Sequence, residues 1–454
     1  MKIKSILTLL TLFFAITITA QNNQQKEIAV TVYNSDLGVI KDLRSMNINS
    51  GTSQIQLTDV AKLIDPTSVH IKLDGKVVEQ NYQYDLVSMD KILQKYIDKD
   101  IQLFSESGEM ISGNLLSVLG SQIVLKKNDG GLLMLPNTSK YRVSVDALPE
   151  GLITKPTLVW MVNSNSSGKQ DVEITYQTRG MNWHAEYVAV LNEDDTKTDL
   201  NSWVSIDNNS GTTYKNAKLK LVAGDVNRIS QNLNYPVYAV DAMRKEGEYS
   251  AAQFGEKEFF EYHIYNLERA TTLAQNETKQ ISLFESSGVN VTKKFLYRSG
   301  SYNRGSSGKV AVIVEFDNKE KNNLGVPMPK GKVRVYKSDG ESVEFIGEDM
   351  IDHTPRNEKV KLKIGDAFDL VAEEVQTENK RISNKVSEQA YEITLKNRKK
   401  EDVVIEVERY LGLNWNILNS SVKYEKKDAQ NVIFKVPVKK DDTSVLKFKV
   451  RYSY

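Results

Sequence analysis

Apolar and polar residues alternate with a period of two from one end of this chain to the other. The pattern is plain in Val172, Ile174 and Tyr176, in Leu219 and Leu221, in Val333 and Val335, in Val360, Leu362 and Ile364, and in Leu446, Phe448, Val450 and Tyr452. Successive side chains of an extended strand point to opposite sides, so this spacing predicts strands with one face buried and the other wet. Lysine often takes the wet position, as at Lys359, Lys361 and Lys363. Such lysines keep sheet faces and edges soluble, and they mark a solvated face rather than a basic binding stripe.

Helical spacing is scarce. The one credible helix is MDKILQKYIDKD, residues 89–100, in which Ile92, Leu93, Tyr96 and Ile97 form a single apolar stripe. It is expected to cap a sheet or link two domains. Residues 101–136 then alternate short strand-like runs with Ser-Gly, Leu-Gly and Asp-Gly-Gly turn signals, which predicts five short strands in a small SH3- or Sm-like barrel. That segment lacks the clustered basic and aromatic residues of a nucleic-acid-binding barrel, so a packing role is favoured over a binding one.

A chain of 454 residues exceeds what one core can serve. The expected fold class is therefore mainly β: multidomain antiparallel β-sandwiches with the small barrel and one short helix. The expected division runs from a leader at 1–20 to a β segment at 21–88, and then to the helix and barrel at 89–150. A first sandwich at 151–330, with a long loop at 239–258, precedes a second at 331–454. Residues 298–309, RSGSYNRGSSGK, also read as a flexible connection.

The leader assignment rests on MKIKSILTLLTLFFAITITA, where Lys2 and Lys4 precede an apolar run and Ala20 stands at the cut, the order of a secretory signal peptide. The run is short of the roughly 20 apolar residues that cross a bilayer, and no second long one follows, so no transmembrane helix is expected in the mature chain. With Lys+Arg at 60 and Asp+Glu at 59, the net charge of +1 disfavours nucleic acid as a partner. Cysteine is absent. An exported chain without disulfides has to draw its stability from burial, which again favours large sheets. The localisation expected is exported, either periplasmic or at the cell surface.

WVSIDNNSGTTYKNAKLKLVAGDV, residues 203–226, packs Asp207, Asn208, Asn209, Ser210 and Gly211 between two alternating runs. Such residues bond their own backbone or accept positive φ, so the stretch reads as strand, connection, strand. Together with TYQTRGMNWHAEYVAVL (175–191), GVPMPKGKVRVYKSD (325–339), FIGEDMIDHTPRNEKVKLKIGDAFDL (345–370) and the closing VRYSY (450–454), it resembles the DUF4139 family of bacterial, mostly exported proteins. YNSDLGVIKDLR near the start and DPTSVHI at 65–71 extend the resemblance over nearly the whole mature chain. The resemblance implies a β-rich, envelope-associated protein of unestablished biochemical role. A related group is named for mucoidy inhibitor A, and its coiled-coil segment has no counterpart in residues 27–170. The family offers no catalytic residues to carry over.

No Gly-x-Ser-x-Gly elbow, Walker-type loop or dinucleotide fingerprint is present, so no cofactor is expected. His70, His184, His263 and His353 are dispersed, and no metal site is expected. The best acid/base candidate is GEDMIDHTP, which sets Asp349 and Asp352 close to His353; a strand end followed by a turn explains the same residues. Trp183, Trp203 and Tyr214 are candidates for a sugar-binding platform, although aromatics at alternating positions more often serve as core. Asp-Gly at 74–75, 129–130 and 339–340 reads as hairpin punctuation. The expected function is that of an exported envelope protein that binds or scaffolds, its partner an envelope protein or glycan. An envelope hydrolase acting on glycan or peptide and an outer-membrane-associated β-barrel are the alternatives.

Overall fold

A computed structural model of the chain describes residues 24–224, 226, 254–259, 262–300 and 308–453. The expected signal peptide, residues 239–253 of the expected long loop and residues 301–307 lie outside the described residues. Residues 254–258, assigned to that loop by composition, instead belong to the strand Phe254–Phe259. Its Phe254 is buried in the first core and its backbone pairs with Tyr262–Leu267, which outweighs the local Gly and charge.

Strands dominate, as the alternation requires, and among the described residues they form five sheets. An eight-stranded mixed sheet is built around Gln24–Tyr33, which pairs antiparallel with Leu37–Ile48 and parallel with Tyr214–Ala223. A three-stranded sheet sets Thr157–Ser164 between Gly51–Thr58 and Gly75–Gln83. A five-stranded sheet centres on Met181–Leu191, flanked by Lys197–Asn208 and, in parallel, by Gly331–Ser338. The fourth sheet has nine strands, including the 25-residue strand Lys359–Ser383.

Core residues show how these layers close. Val30, Leu219 and Ile174 from the eight-stranded sheet pack against Trp160 of the three-stranded sheet and Trp183 and Ile206 of the five-stranded sheet. On the same side of Met181–Leu191, further along, Tyr187 and Leu191 pack against Val314, Phe316, Val360 and Leu362 of the nine-stranded sheet. One face of the five-stranded sheet thus roofs two cores. The expected segments 151–330 and 331–454 share that sheet, through Met181–Leu191 and Gly331–Ser338. The nine-stranded sheet folds over a third core of its own, where the Phe434 and Phe448 rings stand 5.0 Å apart.

The small unit keeps the expected helix and strands with three corrections. The helix spans Met89–Lys95, with Ser88 Oγ accepting from the Lys91 N–H at 3.3 Å. It stops short of residue 100 because Asp98 takes φ 66° and gives its N–H to Leu115 O, which leaves Ile97 outside the apolar stripe and exposed. Four strands fall within 101–136 or at its border, and the fifth is Tyr141–Ser144, downstream of it. The sheet does not close into a barrel: Leu132–Leu135 and Tyr141–Ser144 lean on one shared core without exchanging backbone bonds and remain its edges.

Candidate functional site

The polar cluster of residues 207–211 sits at a crossover between two sheets. Lys197–Asn208 belongs to the five-stranded sheet and Tyr214–Ala223 to the eight-stranded one. Asn208 is buried, and its amide nitrogen reaches Thr212 O at 2.9 Å, Leu273 O at 3.0 Å and Ala274 O at 3.2 Å. Its oxygen accepts from the Ser210 N–H at 3.2 Å and the Ser210 hydroxyl at 2.8 Å. Every bonding direction of this amide is spent on the chain itself, so it has nothing left for a ligand. Gly211 holds φ 98°, and a Cβ there would lie 2.2 Å from Lys62 Cβ.

The aromatic candidates part company. Trp183 lies in the core and donates its indole N–H to Val222 O at 3.1 Å. Tyr214 is buried as well; burial pushes its hydroxyl up to about 12, and it bonds Ser210 Oγ at 3.1 Å. Trp203 projects from the opposite face of its strand and is 39% exposed. The three rings make no common platform, because strand alternation sends odd and even positions of Lys197–Asn208 to opposite sides.

GEDMIDHTP also turns out to be structural. Lys330 donates its backbone N–H to His353 Nδ1 at 3.2 Å, so that nitrogen offers its lone pair to the chain. The neutral ring then carries its proton on Nε2, which stands 3.1 Å from the Asn34 side-chain amide. The Asn34 Nδ2 faces Nε2 while Oδ1 is buried without a partner; turning the amide over brings Oδ1 to Nε2–H and gives both atoms a bond. Asp349 accepts the Lys363 backbone N–H at 2.7 Å and so ties two sheets together. The Asp352 side chain is 94% exposed, 3.9 Å from Lys330 Nζ. Neither carboxylate meets the imidazole, and a base whose lone pair is already engaged is poorly placed to take a proton from a substrate.

These contacts share one object, the loop before Gly331. Tyr265 donates to Pro327 O at 3.2 Å, Tyr187 donates to Pro329 O at 2.7 Å, and Met328 exchanges two backbone bonds with Thr354. Tyr187, Tyr265, His353 and Thr354 therefore meet around residues 325–331 as a packing junction. Among the described residues no group of three or more His, Asp or Glu side chains is arranged to hold a metal ion.

Two hollows remain. The wider, about 680 Å³, lies at the end of the five-stranded sheet beside Asn192, Glu193, Asp194, Asp199 and Ser338. The more enclosed, about 440 Å³, lies on the outer face of the eight-stranded sheet. Register gives its floor in two rows. Thr31 is opposite Lys220 and Lys220 opposite Asn266, which makes a polar row; Tyr33 is opposite Val222 and Val222 opposite Ile264, which makes an apolar one. The Tyr262 ring walls it and lies over Gly224, where a Cβ would come within 2.3 Å of the ring. Burial, and next the Tyr262 phenol, raise the Tyr33 hydroxyl above its ordinary value, so it is a protonated donor at neutral pH.

A comparison of the chain with protein-family models finds no match, and a comparison with curated proteins finds none either. Sequence reasoning missed this pocket. Its residues are drawn from three strands, with Thr31 and Tyr33 standing 189 positions before their partners Lys220 and Val222, and the signal available was the outward register of Tyr33 and Lys220 against the inward Val32 and Leu221.

Proposed function

We propose that this chain is an exported protein of the bacterial cell envelope that works by binding, with no reaction of its own. The observation that carries this reading is the pocket floored by Thr31, Lys220, Asn266, Tyr33, Val222 and Ile264. A concave site of this size, apolar on one side and with a few convergent polar groups on the other, is the usual form of a small-ligand site. The leader-like first twenty residues and the resemblance to an exported family support the compartment. Against an envelope hydrolase stands the engagement of His353 and Asp349 with backbone amides. Against an outer-membrane barrel stand open sheets and a wet face whose lysines are ion-paired, such as Lys361 with Glu315 at 3.4 Å and Lys363 with Asp366 at 3.2 Å.

The test is a binding screen of the purified chain, Tyr33→Ala and His353→Ala on a panel of envelope oligosaccharides and peptides, with circular dichroism as the check on folding. Capture by the parent chain and by His353→Ala, lost in Tyr33→Ala, is the expected result. A folded His353→Ala protein that loses a turnover shown by the parent chain would give the function to a hydrolase instead. Cell fractionation is expected to place the protein in the soluble periplasm or on the cell surface, and recovery with washed outer membranes would favour the barrel.

A further inference from the structure

The geometry points to an acidic saccharide, a pyranose bearing a carboxylate, as the ligand of the pocket on the eight-stranded sheet. This rests on the binding reading of that same pocket and adds the chemical class to it. Strands lie about 4.8 Å apart and alternate same-face residues about 6.7 Å apart, so the two rows cover a patch of roughly 10 by 7 Å, the footprint of one or two sugar rings. A pyranose offers an apolar C–H face and a rim of hydroxyls. The floor offers the complement: Tyr33, Val222 and Ile264 for the face, and the Thr31 hydroxyl and Asn266 amide for the rim.

Charge decides between neutral and acidic sugars. Lys220 stands in the middle of the polar row, and among the described residues that line the pocket none is a carboxylate. Its neighbour on the same face, Lys218, is already paired with Glu27 at 2.7 Å. Lys220 has no such partner among the described residues, whereas many lysines of the nine-stranded sheet are paired, as Lys294 is with Glu315 at 2.9 Å. A cation left without a partner, beside donors and an apolar floor, matches a ligand that brings its own anion. The Tyr262 ring walls the site on one side.

The experiment is isothermal titration of the full mature chain with tri-galacturonate and with the methyl ester of the same trisaccharide, which keeps the rings and removes the charge. The acid is expected to bind about tenfold more tightly than the ester, the effect of one charge-assisted hydrogen bond. Lys220→Gln should bring the acid down to the ester's affinity and leave the ester unchanged, and Lys218→Gln should change neither. Tyr33→Ala should weaken both forms. Equal binding of acid and ester by the parent chain overturns the acidic assignment and leaves the pocket as the binding site. Binding of both forms that survives Tyr33→Ala undiminished puts the site elsewhere and overturns the pocket itself. If neither form binds while the oligosaccharide panel still yields a Tyr33-dependent ligand, the acidic assignment alone fails; if the panel is also silent, the binding reading fails with it.

Discussion

Asp195 takes φ 58° in the turn between Met181–Leu191 and Lys197–Asn208, and from there its carboxylate meets Lys293 at 2.5 Å and Lys337 at 2.6 Å. Burial works to raise its pKa, but hydrogen bonds to the two lysines outweigh that, and the carboxyl is held below its ordinary value. A carboxyl whose folded value is depressed adds stability that is present above its unfolded value of about 3.9 and is lost as pH falls through the folded one. Asp195→Asn should therefore melt below the parent protein at neutral pH, with the gap in melting temperature closing as the pH drops below about 4. A gap that persists unchanged at pH 2 would show that the ion pairs contribute nothing. Residues of this kind are hard to see in sequence. Asn208, Asn318 and Asn397 all sit at strand ends, buried, each clasping one carbonyl a few residues on and another far along the chain, as Asn397 does with Glu401 O at 2.9 Å and Val438 O at 3.2 Å. In sequence they are ordinary turn asparagines followed by polar residues; only the closing of the sheets makes them interior.

At the scale of elements, strand positions were legible because alternation reports burial directly: Val172, Leu219, Val333, Leu362 and Phe448 are all interior. Partners were less so. Asp129-Gly130 and Asp339-Gly340 do join paired strands, whereas Asp74-Gly75 joins His70–Lys72 of one sheet to Gly75–Gln83 of another. A turn signal states that the chain reverses, and pairing is settled by which faces can be buried together. The same holds for the candidate site: His353 and its acidic neighbours were visible as residue types, but the packed junction turned His353 and Asp349 to backbone amides and left Asp352 in solvent. Close approach explains Gly331, whose Cβ, if it had one, would stand 2.0 Å from Ala185 O on the paired strand. The obstacle is backbone of a paired strand, which has little room to give way. Gly331→Ala is expected to cost about 3 kcal/mol in urea unfolding, from overpacking at a strand pair that two cores depend on. A loss under about 0.5 kcal/mol, the range of an indifferent surface site, would mean that the pair separates freely.

Across the whole molecule, chain length points to several domains, and hydrogen bonding joins them. Lys359–Ser383 sends Val360 and Leu362 into the core under the five-stranded sheet and Leu370 and Ala372 into the core of the nine-stranded sheet. Between those pairs its register against Lys309–Asp317 slips, from Ala311 opposite Asp366 to Lys309 opposite Val371, which turns the strand from one core to the next. Gly331–Ser338, meanwhile, hydrogen-bonds the middle strand of the five-stranded sheet. Removing everything after residue 330 would strip that strand of its parallel partner and expose Tyr187, Ala189, Leu191 and Leu200, all buried in the intact fold. Burial of apolar area is the main term holding a disulfide-free fold together, at about 25 cal/mol per Å², so a loss of that extent is comparable with the whole margin of about 5–15 kcal/mol typical of a domain. The 21–330 fragment is therefore expected to show no cooperative thermal transition, while the mature chain unfolds with the two sandwiches coupled. A fragment that melts sharply near the temperature of the mature chain would mean that the shared sheet is an interface between two independent domains, each stable alone.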